Sequence, residues 1–105
     1  MIKYIVDIDN TICKTTSSDY HNSIPLPNRI KKINDLYEGG SYIIYWTARG
    51  STSGHDWSEL TTQQLNQWGC KYHEIRLGKP SYDVWIDDKA INSEEYFDES
   101  IADWT

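Results

Sequence analysis

The stretch Lys3-Tyr4-Ile5-Val6-Asp7-Ile8-Asp9-Asn10-Thr11 decides the fold. Its apolar, β-branched start predicts a buried strand over roughly residues 2 to 8. Two aspartates close the run, two positions apart. Sheets of the α/β class bind ligands just beyond the carboxyl ends of their strands. Two carboxylates at such a place repel each other unless a cation or a proton lies between them. The stretch therefore points to a metal site and acid–base chemistry at a sheet edge.

Working outward, a polar segment from Asn10 to Ser23 follows, and Pro25 and Pro27 end it. Asn28 is a suitable N-cap for a helix in which Ile30, Ile33, Leu36 and Tyr37 recur at helical spacing. Gly39-Gly40 stops that helix. Tyr42-Ile43-Ile44-Tyr45-Trp46 predicts a second strand, leading into Thr47-Ala48-Arg49-Gly50. After a loop from Ser51 to His55, a second helix runs from Trp57 or Ser58 to Trp68, with Leu60, Gln64 or Leu65, and Trp68 facing inward. His73 to Leu77 predicts a third strand before Gly78-Lys79-Pro80. Tyr82-Asp83-Val84-Trp85-Ile86 predicts a fourth before Asp87-Asp88-Lys89. Asn92 or Ser93 is placed to cap a last short helix.

Strands alternating with helices favour a parallel sheet with right-handed crossovers. The expected architecture is α/β, three-layered and Rossmann-like, with about four strands in the order 4-1-2-3. Asp7, Asp9, Thr47, Lys79, Asp87 and Asp88 all follow strands, so a parallel sheet carries them to one edge. At 105 residues the chain has room for one domain and one core. Five Trp and eight Tyr make large rings a main source of burial, with Trp46, Trp68 and Trp85 read as core. Trp104, with Tyr96, Phe97 and Ile101, reads either as a docked tail or as a subunit contact. The net charge of −6 argues against a phosphate-backbone binder. Cys13 and Cys70 lie far apart and read as reduced thiols. No apolar run approaches spanning length and no signal core precedes the first strand, so a cytoplasmic, membrane-free protein is expected.

A carboxylate nucleophile, a second acid, a hydroxyl, an ammonium and an acidic pair are the parts phosphoryl transfer needs. These residues resemble the motifs of the haloacid dehalogenase superfamily. Asp7-Ile8-Asp9-Asn10-Thr11 is similar to its first motif, Thr47 to the second, Lys79 to the third and Asp87-Asp88 to the fourth. Trp46-Thr47-Ala48-Arg49 and Ile86-Asp87-Asp88-Lys89-Ala90-Ile91 look most like the small hydrolases associated with capsular-polysaccharide biosynthesis. The resemblance implies a phosphatase working through an aspartyl-phosphate. Asp7 is then the nucleophile and Asp9 the general acid/base. Thr47, with Ala48 and Arg49 beside it, and Lys79 meet the phosphate. Asp7, Asp9, Asp87 and Asp88 hold Mg²⁺. Arg49 also reads as one half of an ion pair, and Asp88 with Lys89 as a surface pair. His21 and His55 read as ordinary loop residues.

The family's cap domain has no room here, so an open site is expected, covered by a small flap from residues 12 to 24. An open site suits a small-molecule or glycan phosphoester, or closure by a neighbouring subunit in a homo-oligomer. Two other functions draw on the same residues. One is removal of terminal phosphate from a polynucleotide, which the acidic charge disfavours. The other is a receiver-like phospho-acceptor module, which shares the fold type but lacks two aspartates spaced as here after one strand.

Overall fold

The computed structural model describes residues 1–98. Ile101 and Trp104 lie outside the described residues. Three strands form a parallel sheet: β1 (Lys3–Val6), β4 (Tyr42–Trp46) and β5 (Glu74–Arg76), in the order β1-β4-β5. A two-stranded antiparallel ribbon, β2 (Cys13–Lys14) with β3 (Ile24–Pro25), interrupts the first crossover. The helices are α1 (Pro27–Glu38), α2 (Ser58–Gln67) and α3 (Ser93–Phe97).

β4 is the central strand, and its composition shows why. Ile43, Ile44 and Tyr45 are all buried, as a strand covered on both faces requires. Ile30 and Ile33 of α1 pack on it, with Leu36 and Tyr37 at the margin of the same cluster. α1 begins one residue before the expected cap. Pro27 takes the first helical position, with Leu26 as the capping residue. Proline fits there because its missing N–H is one that helix geometry leaves unused.

From α2, Leu65 enters the core while Thr61 and Gln64 are buried beside it. Leu60, expected inward, is only half-buried. α3 starts at Ser93 with Asn92 as its cap, the Asn92 side chain accepting from the Glu94 N–H at 2.9 Å. It docks on α1: Phe97 is buried, Arg29 lies over its ring at 4.9 Å, and Arg29 pairs with Glu94 at 3.1 Å.

The expected fourth strand is a correction. Residues 82–86 form no strand, so the order 4-1-2-3 reduces to its last three members. β1 is consequently an edge strand, and Ile5 is 59% exposed rather than buried. In place of a ladder, Trp85 meets Trp46 at the end of β4 at 6.1 Å and, within the segment, Tyr82 at 5.1 Å. Those contacts draw the segment to the end of β4 and leave Val84 and Ile86 in solvent. Trp85 itself is 40% exposed, not a core ring.

Candidate active site

Parallel pairing delivers three loops to one edge of the sheet. Lys3 to Val6 pair with Tyr42 to Tyr45, and Ile44 to Trp46 pair with Glu74 to Arg76. The ladder continues past the strand ends, with the Thr47 N–H donating to the Arg76 carbonyl at 2.9 Å and the Lys79 N–H donating to the Thr47 carbonyl at 3.1 Å. Asp7, Asp9, Ala48, Arg49 and Lys79 therefore share one cavity of about 240 Å³, together with Ser17, Tyr20, Ser81 and Tyr82.

After β1 the chain turns sharply. The Thr11 and Ile12 N–H groups both donate to the Ile8 carbonyl, at 3.1 and 3.0 Å. Asn10 sits at φ 60 in the left-handed region, which asparagine tolerates better than most residues. Its Oδ1 accepts from the Thr15 N–H at 3.1 Å, tying the turn to the ribbon. Asp7 and Asp9 leave this turn for different surroundings.

Asp7 faces the cavity, and Lys79 Nζ stands 3.5 Å from its Oδ1. Burial raises its carboxyl above the usual range; the Lys79 ammonium and the Ile8 main-chain N–H pull it back. Lys79 is largely buried, with its ammonium 5.3 Å from the Tyr82 ring centre and 5.9 Å from that of Trp85. Aromatic faces so placed favour a desolvated cation.

Asp9 is clamped. Arg49 Nε donates to its Oδ2 at 2.9 Å and Nη2 to its Oδ1 at 2.8 Å, while the Thr15 hydroxyl donates to Oδ1 at 2.6 Å. Arg49 is thus not an exposed phosphate-binding cation. Its side chain is fully buried, and Nη1 donates to the Thr61 hydroxyl at 3.2 Å and to Gln64 Oε1 at 2.6 Å. Of the two readings of Arg49, the structure places it in the ion pair, because a bidentate carboxylate is a better partner for a buried guanidinium than open space.

Thr47 lies behind the cavity lining. It is buried, and its hydroxyl accepts from the Arg49 N–H at 3.1 Å. Asp87 and Asp88 do not reach the cavity. Both are exposed, and Asp87 accepts from the Lys89 N–H at 2.9 Å and from Trp85 Nε1 at 3.3 Å. The reason is the unpaired segment before them: without a ladder to β1 nothing carries them to the edge. His21 and His55 both pack against Trp57, and His73 supports the fold by accepting from the Ile43 N–H through Nδ1 at 3.1 Å.

Among the described residues no three His, Cys, Asp or Glu side chains gather closely enough to hold a metal ion. The four-carboxylate set Asp7, Asp9, Asp87 and Asp88 is not assembled. Mg²⁺ often needs only one or two carboxylates, with waters and phosphate oxygens completing its shell. Asp7 is the cavity carboxylate that fits that smaller requirement.

Sequence alone places Gln64 on the inward face but gives it no role, and it singles out neither Tyr20 nor Thr61. The signal for Gln64 and Thr61 was present: buried polar side chains on an inward helix face need a polar partner, here Arg49. Cys13 and Cys70 are buried and form no disulfide, and burial pushes the Cys70 thiol up to about 12. No helix among the described residues is long and apolar enough to cross a membrane.

No family model and no curated protein matches the chain. Two crystal structures do. A target protein from Vibrio cholerae is 29% identical, with a TM-score of 0.83 over 92% of this chain and 88% of that one. The D,D-heptose 1,7-bisphosphate phosphatase from B. bronchiseptica, complexed with magnesium and phosphate, is 20% identical, with a TM-score of 0.55 over 73% of this chain and 49% of that one. With its parallel sheet, its two aspartates after β1 and these structural neighbours, the chain has the fold of the haloacid dehalogenase superfamily.

Proposed function

We propose that the chain is a phosphatase acting on a phosphorylated sugar or a related phosphoester. The observation that carries this reading is Asp7 beside Lys79 in an open cavity at the shared edge of three parallel strands. In the first step an Asp7 carboxylate oxygen attacks phosphorus, the bond to the leaving oxygen breaks, and that oxygen takes a proton from Asp9. In the second step Asp9 takes a proton from water, the water oxygen attacks the aspartyl-phosphate, and the Asp7 carboxylate leaves with inorganic phosphate released. Lys79 stabilises the charge on the transferring group. Asp7 would hold Mg²⁺, which would supply further charge neutralisation for the phosphoryl oxygens.

Asp9 needs a carboxyl oxygen released from its present partners to carry a proton, since both oxygens accept hydrogen bonds in this geometry. Tyr20 and Tyr82 line the same cavity and bring aromatic side chains to the place where a sugar would sit. The test is hydrolysis of an aryl phosphate and of a panel of sugar phosphates, with Mg²⁺ or with chelator. Turnover by the wild type that disappears in Asp7→Asn is the expected result. Equal rates in the two proteins refute the proposal.

A further inference from the structure

The ribbon β2–β3, with its 3-10 turn at Tyr20–Asn22, reaches Asp9 by two separate routes. The short route runs through Thr15, whose hydroxyl bonds both Asp9 Oδ1 at 2.6 Å and the Ser23 hydroxyl at 2.7 Å. The long route runs through α2. Gln64 Nε2 donates to the Tyr20 carbonyl at 2.6 Å, while its Oε1 accepts from Arg49 Nη1 at 2.6 Å. The Tyr20 ring also lies over the Arg49 guanidinium, 4.7 Å from it. Every link in this circuit is short, and Arg49 and Gln64 are buried. Low local dielectric strengthens such bonds and makes a broken one costly.

We infer that Arg49 and Gln64 are positioning residues that couple the seating of the flap to the placement of the Asp9 carboxylate. The inference rests on the phosphatase reading for its catalytic consequence, but its structural core does not. A primary amide suits the Gln64 position because one side chain must both accept from the guanidinium and donate to the flap. Arg49 suits its own because a planar fork meets both carboxylate oxygens at once, which a lysine ammonium does not. Opening of the flap draws on the same bonds that fix Asp9. Substrate entry and release of the Asp9 proton-carrying oxygen are thereby linked.

Amide hydrogen exchange on the full chain tests this, comparing wild type with Arg49→Lys and Gln64→Met. Exchange over Ser17 to Ser23 is expected to accelerate several-fold to about tenfold in each variant, because Gln64→Met removes the amide bond to the Tyr20 carbonyl and Arg49→Lys removes both the cation over the Tyr20 ring and the fork that holds Gln64. Exchange of Ile43, Ile44 and Tyr45 in the central strand follows the accompanying loss of global stability and is expected to accelerate no more than that of the flap. With an aryl phosphate as probe, both variants should lower kcat with little change in KM. Arg49→Lys should cost nothing further in an Asp9→Asn background, because it acts through that carboxylate. Unchanged flap exchange in both variants, or acceleration confined to the central strand, overturns the coupling. If the wild type turns over no phosphoester, the phosphatase reading falls while the exchange result still decides the coupling.

Discussion

Gly50 lies one residue past Arg49, where the chain leaves the sheet edge, at φ +82. An alanine Cβ built there stands 2.1 Å from the His55 carbonyl oxygen and 3.2 Å from Trp57 Cδ1. Two costs follow. The left-handed backbone costs a residue with a Cβ about 1–2 kcal/mol. Relieving a clash with main chain costs about 1–3 kcal/mol more, because a carbonyl cannot rotate away as a side chain can. A gain of about 0.4–1 kcal/mol from the stiffer unfolded chain offsets part of this. Gly50→Ala is therefore expected to lose about 1–5 kcal/mol, the sum of those three contributions.

Gly69 supplies the control, since it has φ +74 and nothing within 4 Å of a built Cβ. Gly69→Ala carries the backbone cost alone, so its loss should be about 1 kcal/mol. Equilibrium urea unfolding at matched m-values gives both numbers. The difference between them, about 1–3 kcal/mol, isolates the steric part. Equal losses in the two variants refute the reasoning. Flap effects should accompany the Gly50 change alone, because Trp57 packs against Tyr20 at 5.0 Å and His21 at 5.3 Å.

Two other outcomes follow from groups the fold holds unfavourably. Burial raises the Asp7 carboxyl, so its ionised form costs folding stability at every pH above its folded-state pKa. In chelator at pH 7, Asp7→Asn should therefore melt higher than wild type. The gap should narrow as pH falls through the raised pKa toward the ordinary carboxylate range, and a lower melting temperature for the variant at pH 7 refutes this. The Tyr45 hydroxyl is buried beside the buried Cys70 thiol, a weak hydrogen-bonding group, and has no stronger partner among the described residues. Tyr45→Phe should thus change stability by no more than about 1 kcal/mol in urea unfolding, and a larger loss contradicts so weakly satisfied a hydroxyl.

The parts of the site legible in the sequence are those set by local order along the chain. Asp7 and Asp9 follow one strand, Thr47 to Arg49 another and Lys79 a third, and parallel pairing brings these loops together. The apolar runs and their punctuation by Gly39-Gly40, Gly69 and Gly78 were enough to read that alternation. Asn92 announced α3 in the same way. Residues 82–86 show the limit of such reading. Val84-Trp85-Ile86 has strand-like composition, yet Trp85 meets Trp46 while the segment forms no ladder with β1, and Asp87 and Asp88 stay outside the cavity. Composition does not reveal which of two apolar surfaces a short segment will meet.

Hydrophobic periodicity along the chain determined the α/β class, the parallel order of three strands and the meeting of Asp7 with Lys79. Each depends on neighbours near in sequence and on the single hand of parallel crossovers. Only tertiary structure decided what Arg49 does. Its partners Asp9, Thr61 and Gln64 come from two other elements, at 2.6 to 3.2 Å. A guanidinium in a loop reads equally well as a phosphate ligand or as half of an ion pair. Burial settles the matter, because a charge taken out of water is stable only where packing has already placed its counter-charge.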